Sequence, residues 1–355
     1  MIQSVQGFER PLTLAIASAI ALSLSSCSTT STLSDPVAPI PAASEEEEDL
    51  QIVTTFLPIT LFTRAVAGDR AEVVQLLPAN VGPHDYQAKP TDVQAIATAD
   101  VVVKNGLELE TFLDDLIGNA ANNDLLVIDT STGITPLSMQ EDQDHEHGTE
   151  YDHDHDHGDP TDQSAADPQV ESHDHDHGEF DPHIWLDPQR AIAQVETIRD
   201  GLIGLDSAGE ADYRANAAAY IEQLQALDQT IAERLAPYAD QTFITFHDFA
   251  GYFGDRYQLN PVFLVDVPLE RPSPDDIRRI VDTTQAENIK VLLTEPQVGS
   301  KAFDSIASDL NISVSLFDPV ATSDSTSLSP DYYLTVMGQN LERLEAAFNS
   351  SSPPP

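Results

Sequence analysis

Eleven histidines are distributed in two different ways along this chain of 355 residues. Eight of them, His145, His147, His153, His155, His157, His173, His175 and His177, fall in a stretch at 141–179 that alternates Asp with His. The other three, His84, His183 and His247, are separated by 99 and 64 residues, and each stands beside strand or turn signals. His84 lies in Gly82-Pro83-His84-Asp85-Tyr86, and His183 in Asp181-Pro182-His183-Ile184-Trp185-Leu186-Asp187-Pro188. His247 follows an apolar run in Phe246-His247-Asp248, and Asp318 closes another in Phe317-Asp318-Pro319. Any one of these histidines reads as an ordinary hydrogen-bonded imidazole. Three together, with no other histidine in the body of the chain, point to a metal site. Neutral imidazole suits Zn²⁺, and a carboxylate can complete a four-coordinate shell. The wide separations exclude a local zinc finger, so the fold must assemble the ligands.

The elements that would do so form two series. Runs rich in Val, Ile and Leu at 51–56, 72–77, 100–104 and 125–129 read as strands. Helical candidates lie between them at 91–99, with Thr91 as a cap, and at 109–120. The second series has strands at 242–246, 261–267, 290–294 and 313–317, with helices at 275–287, 301–310 and 330–348. Alternating strands and helices predict two parallel α/β sheets with helices on both faces. Between the series, Tyr213, Ala217, Tyr220, Leu224, Leu227, Ile231 and Leu235 repeat at helical spacing and predict one long connecting helix. It makes a stiff joint between an amino-terminal lobe at 50–207 and a carboxy-terminal lobe at 237–349, itself spanning 208–236. In open parallel sheets ligands bind beyond the carboxyl ends of the strands. His84, His247 and Asp318 hold such positions, and His183 sits in a turn that can join them across a cleft.

Here a family resemblance enters. Gly82-Pro83-His84-Asp85-Tyr86-Gln87, followed by Lys89-Pro90-Thr91-Asp92, resembles the first ligand segment of the metal-binding proteins of ABC transporters. The segment from Asp181 to Pro188 resembles their second and is the most specific motif in the chain. Phe246-His247-Asp248, with Gly251-Tyr252-Phe253, resembles their third. The resemblance runs from Leu50 to about Phe348, leaving out the insertion, whose acidic His-rich character is similar to that of zinc-specific members. It implies two α/β lobes joined by a long helix, with the ion between them and His84, His183, His247 and Asp318 as the ligand positions. Water or another carboxylate is the alternative to Asp318. Members that handle manganese commonly carry a carboxylate at the third position, and this chain has His247 there. The implied function is capture of Zn²⁺ and its delivery, by a monomer, to an ABC permease in the inner membrane. Some relatives carry a disulfide in the second lobe, which a chain with one cysteine cannot form.

Charge bears on the same question. The formal net charge is −44, from 60 acidic and 16 basic residues, which excludes nucleic acid and a polybasic contact with anionic lipid. Residues 141–181 alone carry 16 acidic groups and no Lys or Arg. With no apolar periodicity, the insertion is expected to be disordered and to serve as an accessory metal-collecting or sensing loop. At the amino terminus Arg10 precedes a short apolar run ending in Leu24-Ser25-Ser26-Cys27. The run is too short to span a bilayer and reads as a signal peptide at 1–27 with a lipobox, Cys27 being the lipidated residue. Residues 28–49 read as a disordered tether and 350–355 as a disordered tail. The expected location is therefore periplasmic or extracytoplasmic, anchored by lipid. A rival of another class is a three-histidine zinc hydrolase or lyase with Glu295 as base. No His-Glu-x-x-His pattern supports it. A manganese or iron carrier of the same family is the other alternative.

Overall fold

The computed structural model describes residues 50–139, 179–265, 272–298, 303–323 and 329–351. Two four-stranded sheets organise them. The first contains β1 (Leu50–Thr54), β2 (Ala71–Gln75), β3 (Val101–Lys104) and β4 (Leu126–Asp129), all parallel and in the order β2-β1-β3-β4. The second repeats the arrangement with β5 (Thr242–Thr245), β6 (Asn260–Phe263), β7 (Val291–Thr294) and β8 (Ser313–Leu316), in the order β6-β5-β7-β8. The central strands are covered on both faces and read as unbroken apolar runs: Val101, Val102 and Val103 of β3, and all four residues of β7, are buried. The edge strands β2 and β4 keep exposed positions instead. The expected two-lobed α/β architecture is present.

Helix α1 (Leu57–Ala67) opens with Pro58 in its first turn and buries nine of its eleven residues. It packs on β2, α4 (Pro188–Leu205), α5 (Glu210–Leu235) and α9 (Asp331–Ser351). Apolar residues around its whole circumference suit that central place. The sequence does not announce α1, because so uniform an apolar run reads as a continuation of the strand before it. Helices α2 (Pro90–Ala97) and α3 (Leu113–Ala120) pack together beside the first sheet. In the second lobe lie α6 (Gly251–Tyr257), α7 (Pro274–Glu287) and α8 (Asp304–Leu310).

The long helix between the lobes is α5. Its buried stripe is Tyr213, Ala217, Tyr220, Leu224, Asp228, Ile231 and Leu235, with Leu227 half-buried beside it. Asp228 is the charged member of that stripe. It accepts hydrogen bonds from Gln189 Nε2 on α4 (2.7 Å) and from Arg256 Nε (2.9 Å) and Tyr257 Oη (3.1 Å) on α6. One carboxylate thus ties three helices.

A continuous apolar core runs through both lobes. It includes Ile52 and Val102 of the first sheet, Phe243, Val291 and Leu293 of the second, and Tyr333, Met337, Leu341 and Leu344 of α9. The alternate residues Ile244 and Leu292 face the other way, into a smaller cluster with Ile280 of α7 and Phe303.

Candidate metal site

Each of the three body histidines is placed by a short segment leaving a structured element. His84 lies in a 3-10 turn, Pro83–Asp85, beyond the end of β2. Downstream of it, Asp92 of α2 accepts hydrogen bonds from Tyr86 Oη and from the backbone N–H of Lys89, fastening that segment to the helix. His247 lies two residues past the end of β5, after Phe246, where the strand has run out of paired residues.

His183 precedes a single 3-10 turn, Ile184–Leu186, after which Asp187 caps α4 by accepting from Gln189 N at 2.8 Å. The segment is fastened to both lobes. Asn105, after β3, donates to the Pro182 carbonyl at 2.9 Å. From the second lobe, Tyr252 Oη donates to Asp181 O at 2.8 Å, and Tyr333 Oη to Trp185 O at 2.7 Å. Trp185 Nε1 donates in turn to Pro319 O at 2.7 Å. Trp185 itself is fully buried, edge-on to Phe56 and tilted against the His183 ring.

These segments bring the three imidazoles together. One nitrogen from each of His84, His183 and His247 falls in a group whose members all lie within 4.8 Å of one another. The ring centroids are 5.3, 5.8 and 5.4 Å apart, and Nε2 of His84 is 3.2 Å from Nε2 of His183. Two nitrogens on a tetrahedral Zn²⁺ at ordinary bond length stand about 3.3 Å apart, so the closest pair already has that spacing. Among the described residues this is the group of His, Cys, Asp and Glu with the geometry to hold an ion.

In His183 and His247 the other ring nitrogen has a partner that sets the tautomer. Asp181 Oδ1 accepts the backbone N–H of His183 at 2.9 Å and also meets His183 Nδ1 at 2.8 Å. An oxygen already accepting one N–H takes the ring proton as a second, which leaves the Nε2 lone pair of His183 for the centre. His247 Nδ1 meets Glu295 Oε1 at 2.6 Å, with the same result. Electrostatics differ between the two rings. Burial pushes His183 down to about 3, so it stays neutral through the physiological range. Burial also lowers His247, but the charge and hydrogen bond of Glu295, with Asp248 and Asp181 nearby, overcome it and hold His247 above its ordinary value. Burial raises Asp181 to about 7.

Asp318 stands at the end of β8, where the strand-end argument puts it, but it is not in the close group of ligand atoms. Its Oδ1 accepts the backbone N–H of Val320 at 2.8 Å, and burial raises its pKa. Asp181 and Glu295 were not read as partners of ligands. Asp181 could have been suspected from its place two residues before His183, and Glu295 from the strand-end position it shares with His247. The eight insertion histidines, His145 to His177, and Cys27 lie outside the described residues. No helix among the described residues is long and apolar enough to cross a membrane.

Comparison with known proteins places this geometry. The family model for ZnuA, zinc-uptake complex component A, periplasmic, matches residues 52–347. The zinc-binding lipoprotein AdcA of Streptococcus pneumoniae is 29% identical over 349 residues, covering 97% of this chain and 62% of AdcA. The zinc-binding protein AdcA of Streptococcus pyogenes, 31% identical over 305 residues, is spanned to 56% of its length, so the chain corresponds to little more than half of these AdcA proteins. A crystal structure of ZnuA superposes with a TM-score of 0.67 at 27% identity, covering 84% of this chain and 99% of that one. FpvC of Pseudomonas aeruginosa, solved in complex with Mn²⁺, gives a TM-score of 0.70 at 26% identity, covering 86% of this chain and all of its own.

Proposed function

We propose a function from the premise that this chain belongs to the ZnuA family of periplasmic zinc-uptake components: it captures Zn²⁺ outside the cytoplasm and delivers it to an ABC-type importer. The observation that carries this reading is the convergence of His84, His183 and His247 within 4.8 Å. All three donors are nitrogens, which favours Zn²⁺ over the harder Mn²⁺ by ligand softness. The fourth position falls to water or to the Asp318 carboxylate. Zinc is the cargo here, and the protein's task is to bind it and give it up.

Three further parts belong to the same reading. The His-rich insertion, 141–179, gathers Zn²⁺ on many weak imidazole and carboxylate groups, and its charge raises the local cation concentration within the ~10 Å reach that salt allows. Cys27 carries a lipid that anchors the protein to the membrane, as fits a family with a relative named a lipoprotein. The permease draws the ion out on docking. A hydrolase reading has less support, since the family consists of uptake components and Glu295 is already engaged by His247 and Gln297. Manganese is the competing cargo, because a structural relative was solved with Mn²⁺.

A calorimetric titration with Zn²⁺ tests the assignment, using wild type, a deletion of 141–179 and His247→Ala. The deletion should keep one tight site and lose only weak ones, while His247→Ala should lose the tight site. Unchanged tight binding by His247→Ala sinks the site. A Mn²⁺ competition at equal free-ion activity that displaces the zinc sinks the choice of metal.

A further inference from the structure

Glu295 is an unusual residue to bury. It directly follows β7, is 0% exposed, and pairs with no Lys or Arg among the described residues. A carboxylate taken out of water without a cationic partner costs several kcal/mol, and an apolar residue of the same volume would avoid that. Both of its oxygens are nevertheless held. Oε1 lies 2.6 Å from His247 Nδ1, and Oε2 accepts from Gln297 Nε2 at 2.6 Å. The backbone keeps the arrangement stiff: Pro296 follows at once, and Val298 N–H closes a turn on the Glu295 carbonyl at 3.2 Å. With both oxygens engaged, the carboxylate cannot swing away from the imidazole. The ring is left with one freedom less and its Nε2 turned to the centre.

We propose that Glu295 is a positioning residue for the captured cation: clamped by Gln297, it acts through His247 to fix the tautomer and aim of the Nε2 lone pair, and its charge strengthens that ligand toward Zn²⁺. The proposal rests on the reading of the three histidines as the cation site. It explains why the fold tolerates a buried carboxylate that no Lys or Arg among the described residues neutralises: its partner is the His247 imidazole, and a bound divalent cation beyond that ring supplies further positive charge. Asp181 meets His183 in a similar way, but it also accepts the backbone N–H of the same residue and so shapes the turn itself. Glu295 touches its histidine through the ring alone and is the cleaner case.

The test is a competitive Zn²⁺ titration against a chromophoric chelator, run on purified full-length protein stripped of metal. The variants are Glu295→Ala, Glu295→Gln, Gln297→Ala, His247→Ala and the double variant Glu295→Ala/His247→Ala, each also unfolded in urea without metal. Loss of an outer carboxylate of this kind costs about 10- to 100-fold in metal affinity. Glu295→Ala should show that loss. Glu295→Gln should show a smaller one, because an amide oxygen still accepts the Nδ1 proton without the charge. Gln297→Ala should fall between wild type and Glu295→Gln. The double variant should bind no more weakly than His247→Ala alone, as a residue acting only through His247 requires. Equal losses from Glu295→Ala in both backgrounds would mean that Glu295 supports the fold and would overturn the proposal. So would wild-type affinity in Glu295→Ala and Glu295→Gln beside an impaired His247→Ala, an outcome that spares the metal site. Wild-type affinity in His247→Ala overturns both. If Glu295→Ala does not fold without metal, the near-isosteric Glu295→Gln decides: affinity within twofold of wild type refutes the role.

Discussion

Replacing Tyr333 by Phe removes one oxygen atom and tests how the second histidine's turn is held. Tyr333 lies on α9, is fully buried, and donates its hydroxyl to the Trp185 carbonyl at 2.7 Å. The ring would stay, because it packs edge-on against Phe62 at 5.0 Å, a contact Phe reproduces. What is lost is a hydrogen bond with a net worth of about 1 kcal/mol, together with the pairing of a buried acceptor, for a total of about 1–3 kcal/mol. We expect a loss of about 2 kcal/mol in the metal-free protein. For a folded body of this size that is a fall of roughly 3–4 °C in melting temperature. Trp185 is the only tryptophan and sits at the broken bond, so its fluorescence during urea unfolding reports the perturbed region directly. The midpoint should fall with the slope unchanged. Zinc affinity should change by less than about threefold, since Pro319, Asn105 and Tyr252 still hold the segment. A stability loss under about 0.5 kcal/mol would refute the view that this bond fastens the turn to the second lobe. A tenfold loss of zinc affinity would refute the view that the remaining contacts are sufficient.

Zinc affinity should fall about tenfold per pH unit below the folded pKa of His247, which lies above the ordinary imidazole value, and level off above it. The sign follows from the raised value, because a proton that binds more tightly competes from a higher pH. His183, already neutral down to about pH 3, should add no proton of its own, so between pH 5 and 9 at most His84 and His247 exchange protons for the metal; a slope of three in a chelator competition would contradict this. In the metal-free protein the same His247 shift contributes stability that is complete below about pH 6.5 and disappears as pH rises through the folded value. Asp228→Ala should cost about 2–3 kcal/mol by thermal melting with zinc affinity unchanged, a figure kept low because the Arg256 side chain is 37% exposed. Gly106→Ala should destabilise by at least about 1 kcal/mol in urea. Its φ is +92°, and a Cβ there would stand 2.1 Å from Asp129 Oδ1 and 2.5 Å from Ser131 Oγ.

The parallel strands were legible because most are short runs rich in Val, Ile and Leu bounded by turn or polar residues, and seven of eight ended within two residues of expectation. The run at 261–267 is the exception: β6 ends at Phe263, since β5, its partner, stops at Thr245 and the chain turns toward His247. Helix starts were harder. Thr91 lies inside α2, where Asp92 caps the Lys89 N–H in place of the expected Thr91 side chain. The helix expected from 109 begins at Leu113, because Leu107 and Glu108 adopt left-handed backbone conformations that hold the preceding turn open. Helix α4, unpredicted, carries Gly201 and Gly204 in a weakly amphipathic sequence, and its start is written in the Asp187 cap and Pro188. Of the site, the three histidines were readable from their isolation and their strand-end places. The carboxylates behind them carry weaker signals: Asp181 only its place two residues before His183, and Glu295 only a strand end, since His247 and Glu295, 48 positions apart, become neighbours through the pairing of β5 with β7.

The core shared by the two lobes has a consequence for how the chain can come together. Residues Tyr333, Met337, Leu341 and Leu344 of the last helix pack in the same cluster as Phe56 and Phe62 near the start of the described chain. A polypeptide emerging amino-terminus first therefore holds its first sheet with one flank bare until nearly all of it has emerged. Contacts at such sequence separation form late and slowly. A chain cut within α5 should yield two sticky fragments in place of two working lobes, and co-expressed halves should recover a soluble complex only by rejoining along α9.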